Sequence, residues 1–154
     1  MIEKTILDAT AGYRMMHVDK ENPHVLYIDQ RKEVNPDEVL DHRNLPFPDK
    51  RFKLIIYDPP HRTTKDAPKW VVRDYGGLIP ETWQSDIKKS FAELWRVLQD
   101  DGVLVFKWND HQYPIEQLYP LFPTKPVIQQ TTTNGTSSDT FWVLFMKYSR
   151  EDSQ

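Results

Sequence analysis

The sequence predicts an α/β fold in which helices cover both faces of a mostly parallel β-sheet. Three observations lead to this prediction: short apolar runs recur along the chain, helical patterns alternate with them, and three of the runs end in aspartate. The chain has 154 residues, a length typical of one domain that buries its own core. We therefore expect a single domain over residues 1–148 and a flexible tail over 149–154.

Five short runs are predicted to be strands because they are rich in β-branched and aromatic residues and apolar at consecutive positions, and a sixth run, residues 126–132, is predicted as a weaker strand. They span residues 6–7, 24–28, 52–57, 102–106, 126–132 and 141–146. Asp8, Asp29 and Asp58 directly follow the first three. The last two runs are expected to pair as an antiparallel hairpin, since the loop between them contains an Asn-Gly pair.

One helix is predicted near residues 83–98, where apolar side chains recur every three or four positions. The stripe consists of Trp83, Ile87, Phe91, Leu94, Trp95 and Leu98. A shorter helix is expected after Pro114. The first crossover has only residues 9–24, so its helix is expected to be short, and the helix after the second strand vestigial.

The composition excludes several functional classes. The chain has no cysteine, which excludes disulfides, thiolate zinc sites and a cysteine nucleophile. Its histidines show no metal-ligand spacing, and we predict no metal site. With 38% hydrophobic residues, 28% charged residues and a net charge of -3, it is typical of a globular protein without a uniformly basic surface. The N-terminus lacks a signal-peptide pattern and no apolar run is long enough to cross a membrane, so a cytoplasmic location is expected.

Two motifs at strand ends are typical of nucleotide binding. The first strand is followed by small residues from Asp8 to Gly12, which allow a ligand to approach the backbone closely. Asp29 ends the next strand, at about the offset where an acidic residue commonly binds ribose hydroxyls. Turn formation is the alternative role for both motifs, since Asp and Gly are common turn residues.

The third motif, Asp58-Pro59-Pro60-His61, is the most specific. Each proline fixes a φ angle, and a residue before proline is pushed out of the α region. The loop is therefore stiff, and it presents a carboxylate and backbone carbonyls at the edge of the sheet where open α/β folds bind ligands. These groups only accept hydrogen bonds, which suits an exocyclic amine on a planar ring, with His61 available to stack on that ring. A rigid structural turn is the alternative.

In this order, the motifs resemble those of the class I S-adenosylmethionine (SAM)-dependent methyltransferases, and especially the amino-methyltransferases that carry an Asp-Pro-Pro-aromatic motif. The resemblance covers roughly residues 4–148 and implies a Rossmann-like sheet that binds SAM. The matched cofactor-binding residues are Asp8, Ala9, Thr10, Gly12, Asp29, Asp41 and His42, and the matched catalytic residues are Asp58, Pro59, Pro60 and His61. The chain departs from the family in having a single glycine in the first motif and a histidine in place of the usual aromatic residue.

The resemblance implies transfer of a methyl group from SAM to an exocyclic amine. The first candidate acceptor is adenine N6 in DNA or RNA, which would make the reaction DNA methylation or another nucleic acid modification. A protein amide or a small-molecule amine has the same geometry and is an alternative acceptor. An inactive SAM-binding partner subunit is a third alternative.

The segment 62–79 is the candidate for contact with the substrate. Its basic and aromatic residues are typical of phosphate contact and base stacking, and they are Arg62, Lys65, Lys69, Trp70, Arg73 and Tyr75. A solvated loop with a hinge at Gly76-Gly77 is the alternative. Since no separate target-recognition domain is evident, a second copy of the chain or a separate recognition subunit is an expected partner, besides DNA or RNA.

Overall fold

The computed structural model describes residues 1–133, 135 and 137–149, and its strands form one sheet. The strands are β1 (Ile6–Asp8), β2 (Val25–Asp29), β3 (Glu38–Val39), β4 (Phe52–Tyr57), β5 (Leu98–Asn109), β6 (Ile128–Thr133) and β7 (Asp139–Met146). They lie in the order β3-β2-β1-β4-β5-β7-β6. Strands β1 to β5 are parallel, whereas β7 is antiparallel to both β5 and β6. The predicted mostly parallel sheet with an antiparallel C-terminal hairpin is confirmed, and β3 is the strand that sequence analysis missed.

The strand order reverses at β1, which positions the three aspartates together. Leu7 in β1 pairs with Leu26 of β2 on one side and with Ile55 of β4 on the other. The chain runs from β1 outward to β2 and β3 on one side and then crosses to β4 on the other side of β1, and such a switch point opens a crevice at the carboxyl ends of the strands. Asp8 and Asp29 end β1 and β2, and Asp58 directly follows β4, so all three lie at this edge.

Helix α2 (Trp83–Val97) packs against one face of the sheet. The predicted stripe is buried at Trp83, Ile87, Phe91 and Leu94, which belong to the same core as β-strand residues such as Phe145. The helix prediction is therefore confirmed. The helix ends at Val97, one residue before the predicted end, because the chain takes an extended conformation at Leu98 and continues as β5.

The first crossovers contain almost no helix, in agreement with their shortness. Residues 9–24 form turns, and Arg14 adopts a left-handed conformation with φ of 59°. The crossover after β2 contains a single 3-10 helix, Lys32–Val34. The chain therefore reaches the next strand in each case without a helical layer.

The helix expected after Pro114 is replaced by two 3-10 helices. These are Ile115–Gln117 and Tyr119–Leu121. Pro120 and Pro123 account for the difference, because proline removes a backbone donor and interrupts a longer α-helix.

Segment 62–79, which the sequence predicts as a loop, contains a second helix. Helix α1 (Lys69–Tyr75) follows Pro68 and ends at Gly76, whose φ of 80° favours glycine. None of the residues of α1 is buried, so the apolar periodicity that identified α2 is absent from it. The flanking proline and glycine were the only signals for this helix.

Helical cover of the sheet is more one-sided than the sequence predicts. Opposite α2, the side chains of Leu54, Ile56, Val103 and Val105 are half-buried, and no long helix of the described residues lies against them. Near β2, the loop 9–24 covers this face instead. Its Arg14 guanidinium lies 3.9 Å from the centre of the Tyr27 ring. A loop has taken the position of a helical layer because the first crossover is too short to hold one.

Some expectations fall on residues outside the described ranges. These are the tail 149–154 from residue 150 onward, and part of the hairpin loop at residues 134 and 136. In the described part of the chain, no helix is both long enough and apolar enough to cross a membrane.

Candidate functional site

A cavity of about 340 Å³ lies where β1, β2 and β4 end. The predicted site residues on its wall are Ala9, Thr10, Asp29, His42, Asp58, Pro59 and Pro60. Its remaining walls come mainly from α2 and from residues 72–79. The volume is in the range of small-molecule sites, which combine an apolar lining with a few convergent polar groups.

Thr10 connects the first motif to the Asp58 loop. Its hydroxyl accepts a hydrogen bond from the backbone N–H of Asp58 at 2.7 Å. One residue earlier, the N–H of Ala9 donates to the carbonyl of Ile56 at 3.0 Å. The two predicted motifs are therefore held against each other at adjacent strand ends.

Asp8 lies behind the cavity and orients the first motif. It is only 2% exposed, and its carboxylate accepts a hydrogen bond from the N–H of Thr10 at 3.1 Å. The other carboxylate oxygen is 2.7 Å from Nε2 of His17. Burial raises the pKa of Asp8, and the bonds from His17 and Thr10 offset part of that rise. Asp8 thus positions Thr10 and contributes no atom to the cavity wall.

Gly12 serves the site through Asp29. Its φ of 52° is a left-handed conformation that favours glycine, and its N–H donates to Oδ2 of Asp29 at 2.9 Å. Gly12 itself does not line the cavity, whereas Asp29 does. The single glycine of the first motif therefore orients the carboxylate predicted to hold a ribose.

His61 is bonded to the Asp58 carboxylate. Its Nε2 lies 2.9 Å from Oδ1 of Asp58 and 3.2 Å from the carbonyl oxygen of Lys107. Both neighbours are acceptors, so Nε2 carries the proton that is donated. The ring meets Trp108 edge-on at 5.1 Å, and His61 does not line the cavity. Its contacts in this structure make it a positioning partner of Asp58.

Asp41 lies beside the cavity and does not line it. Its carboxylate accepts hydrogen bonds from Arg43, at 2.7 Å from Nη2, and from Gln30 at 3.1 Å. The Arg43 bonds lower the pKa of Asp41. The next two residues, His42 and Arg43, do line the cavity. The structure therefore places His42 on the cavity wall and Asp41 beside it.

His42 presents a neutral imidazole to the cavity. Its Nδ1 lies 2.7 Å from the hydroxyl of Ser90, which itself donates to the carbonyl of Asp86 at 2.8 Å. A serine hydroxyl donates only one hydrogen bond, so Nδ1 of His42 is the donor and Nε2 remains an acceptor. Loss of hydration on burial lowers the pKa of His42 to about 4.

Lowering the pH from neutrality to about 4.5 is expected to reduce the stability of the wild type more than that of a His42→Asn variant. The asparagine keeps a donor for Ser90 but does not titrate in this range. The folded pKa of about 4 lies below the ordinary value of 6.5, so the unfolded chain binds a proton that the folded protein excludes. Stability is full above pH 6.5 and falls toward pH 4, by about 2 kcal/mol for this partly buried ring. Urea unfolding of both proteins across this range measures the difference, and identical pH profiles would contradict the assignment.

Sequence reasoning missed several residues of the cavity wall. Gln30, Arg31 and Arg43 each lie within two positions of a predicted aspartate, but their contacts depend on the folded chain. Ser90 is the residue of this wall that its sequence context could have indicated. It is a polar residue, fully buried, inside the apolar stripe of α2. A lone hydroxyl in such a stripe indicates a specific hydrogen-bond partner.

Comparison with known proteins gives matches at the level of structure only. No family model matches the sequence, and no curated protein matches it. A SAM-dependent methyltransferase from Methanosarcina mazei is similar with a TM-score of 0.65 and 12% identity, over 96% of this chain and 94% of that one. The 1,6-didemethyltoxoflavin-N1-methyltransferase of Burkholderia thailandensis is similar with a TM-score of 0.61 and 13% identity, over 94% of this chain and 71% of that one. The cyclase SpnF is similar with a TM-score of 0.65 and 11% identity, over 93% of this chain and 75% of that one.

The strand order and these likenesses agree with each other. In both methyltransferases the similarity extends over more than nine-tenths of this chain, so it includes the sheet and the crevice at its carboxyl edge. At these identities the comparison establishes the fold and leaves the reaction to the site residues. The chain therefore has the class I SAM-dependent methyltransferase fold.

Proposed function

We propose that the chain is a SAM-dependent methyltransferase that methylates an exocyclic amine, with adenine N6 in DNA or RNA as the first candidate acceptor. The observation that carries the proposal is the Asp58-Pro59-Pro60 loop on the cavity wall, bonded to the first motif through Thr10. The fold alone does not define the reaction, since a cyclase shares it. The loop supports amine methylation because it places hydrogen-bond acceptors beside the predicted cofactor residues.

The residues around the cavity fit SAM, which carries an adenine, a ribose and a charged methionine. Asp29 would hold the ribose hydroxyls, and Pro60 and His42 would flank the adenine. The small residues 9–10 would leave room for the methionine. The hydroxyl of Tyr57 is buried behind this wall, close to Ser90.

SAM, when bound, supplies a methyl group attached to a positively charged sulfur. The Asp58 carboxylate and the Pro59 carbonyl accept hydrogen bonds from the amine of the substrate, which points its lone pair toward the methyl carbon. Nitrogen gains positive charge as its bond to carbon forms, and the negative charge of Asp58 stabilises it. The bond between the methyl carbon and sulfur would break as the bond to nitrogen forms, leaving neutral S-adenosylhomocysteine, and the methylated nitrogen would lose its extra proton to water. No donor in the described chain contacts the Pro59 carbonyl, so this acceptor has no hydrogen bond to give up when the amine binds.

Aromatic side chains of α1 support a nucleic acid acceptor. Trp70 is 57% exposed and Tyr75 is 59% exposed. Tyr75 also lines the cavity, so α1 adjoins the site. Exposed aromatic rings beside a catalytic cavity suit stacking on unpaired bases, and a base in a duplex would have to flip out to reach the site.

Ion pairing in segment 62–79 favours a second candidate, a protein amide or a small-molecule amine. Three of its cations are paired with carboxylates, and the pairs are Arg62–Asp66 at 2.6 Å, Lys65–Glu81 at 3.4 Å and Arg73–Asp74 at 2.6 Å. These pairs reduce the positive charge available for phosphate groups. The net charge of -3 acts in the same direction.

Incubation with tritium-labelled SAM and separate pools of DNA, RNA, protein and small metabolites tests the proposal. We expect label in DNA or RNA, because acceptor groups and exposed rings occur together at the site. Heat-denatured DNA is expected to be labelled faster than duplex DNA, since its bases are already unstacked. The Asp58→Ala variant serves as the control for label transferred without this site.

Each other distribution of label has a defined meaning. Label in protein or in small metabolites alone would establish the second candidate and exclude the first. Binding to nucleic acid should also weaken steeply with added salt, and an affinity independent of salt would count against phosphate contacts. If S-adenosylhomocysteine binds but no pool is labelled, the chain is a SAM-binding subunit without transferase activity, and the proposal is wrong.

A further inference from the structure

The Asp29 carboxylate has all of its acceptor positions filled in this structure. Oδ1 accepts hydrogen bonds from the backbone N–H of Arg31 at 2.9 Å and from its Nε at 3.0 Å. Oδ2 accepts from the N–H of Gly12 at 2.9 Å and from Nη2 of Arg31 at 3.2 Å. A carboxylate offers about four lone-pair positions, so these four bonds saturate Asp29. Two of the bonds come from the backbone and two from the Arg31 guanidinium.

The same guanidinium holds the segment that closes the cavity. Its Nη1 donates to the backbone carbonyl of Arg73, in the last turn of α1, at 3.2 Å. The chain just after α1 is packed closely on the catalytic loop, since a Cβ at Gly76 would lie 3.2 Å from Pro60 and 4.0 Å from Arg31. Arg31 therefore connects the predicted ribose carboxylate to segment 62–79.

We infer that Arg31 occupies the positions on Asp29 that the ribose hydroxyls of the cofactor take, so that cofactor binding displaces Arg31 and releases segment 62–79. This inference rests on the proposed function, because it takes Asp29 as the ribose-binding residue. After the exchange, the two backbone N–H groups still hold the carboxylate in place. The two positions that Arg31 vacates match the two hydroxyls of a ribose.

The geometry of Arg31 makes it suited to this role. A guanidinium presents its donors as a planar fork that fits the two oxygens of a carboxylate, and its remaining N–H groups reach a third partner. The Arg31 side chain is 24% exposed against 8% for Asp29, so the arginine has room to move while the carboxylate is fixed. The exchange also sets an order of binding. Cofactor enters first, and the freed segment then admits the acceptor.

Calorimetry with S-adenosylhomocysteine and its 2′-deoxy analogue tests the displacement. Arg31→Ala is expected to bind S-adenosylhomocysteine about tenfold more tightly than the wild type, because no charge-assisted bonds have to be broken. The preference for the ribose ligand over the deoxy ligand is expected to increase about tenfold as well. In the wild type, by contrast, each hydrogen bond from a ribose hydroxyl to Asp29 replaces one from Arg31, so the hydroxyls add less to the affinity. Arg31→Lys keeps the charge without the fork and should fall between the two.

Lys32→Ala is the matched control for the loss of one positive charge. Lys32 is the next residue in the chain, its side chain is exposed, and no contact with Asp29 is present. The affinity of the Lys32→Ala variant for both ligands should equal that of the wild type. Hydrogen exchange adds an independent readout, since Arg31→Ala should speed amide exchange over residues 69–76 severalfold in the absence of ligand, and Lys32→Ala should not.

The outcomes separate this inference from the function on which it rests. If the wild type binds S-adenosylhomocysteine but Arg31→Ala shows the same preference between the two ligands, the inference is wrong and the proposed function stands. If the wild type binds neither ligand, the proposed function is wrong, and the inference fails with it. If Arg31→Ala does not fold, Arg31→Lys still decides, because the inference requires a stronger ribose preference in it than in the wild type.

Discussion

Replacing Asp58 by alanine is expected to reduce methyl transfer by at least about 10²-fold, while S-adenosylhomocysteine still binds. The carboxylate lies on the cavity wall, where its charge acts on a nitrogen that becomes positive only in the transition state. The bonds that position the cofactor residues do not need this side chain, because Thr10 accepts from the backbone N–H of Asp58. Affinity for S-adenosylhomocysteine should therefore change by no more than about threefold, or ~0.6 kcal/mol.

Tritium transfer and calorimetry on the same preparations measure the two quantities. Asp58→Asn is the more selective variant, since it retains a side-chain oxygen for His61 and loses the negative charge. Asp49→Ala is the matched control. Its side chain is 73% exposed, it pairs with Arg96, and it lies away from the cavity. Full transfer by Asp58→Ala would refute the proposed mechanism, and loss of ligand binding would mean that Asp58 belongs to the cofactor site.

The parts of the site that sequence analysis locates are those encoded by strand ends. Asp29 and Asp58 could be placed because each follows a short apolar run, and parallel strands bring their carboxyl ends to one edge. The Asp-Pro-Pro loop could be described in advance because proline restricts the backbone locally.

The parts that could not be predicted depend on contacts between distant segments. Asp41 is a suitable ligand by type, but its bonds to Arg43 and Gln30 exist only in the folded chain. His61 is expected to stack on a substrate, whereas a bond to Asp58 holds it in this structure. Helix α1 has no buried stripe, so hydrophobic periodicity gave no signal for it. Local patterns predict which acceptors lie at the carboxyl edge of the sheet, and tertiary contacts determine which of them line the cavity.

Replacing Phe91 by alanine is expected to lower the free energy of unfolding by about 3 to 5 kcal/mol, the largest stability effect that we anticipate for a single substitution. Phe91 is 0% exposed in the middle of α2. Its ring centre lies 4.3 Å from that of Phe122, 5.0 Å from that of Phe145 and 5.5 Å from that of Trp95. Truncation therefore removes contacts with three aromatic rings at once and leaves a cavity between α2 and β7.

Urea unfolding with a Phe91→Leu variant separates the lost volume from the lost aromatic contacts. Leucine refills most of the space, so its cost should be under about 2 kcal/mol. Ile128→Ala on β6 is the control for a large apolar residue that is 59% exposed, and it should change stability by less than about 0.5 kcal/mol. Because α2 is the principal long helix on its face of the sheet, a small effect of Phe91→Ala would mean that this helix is held mainly by other contacts. Ser90, the next residue, would then be positioned for His42 independently of the aromatic cluster.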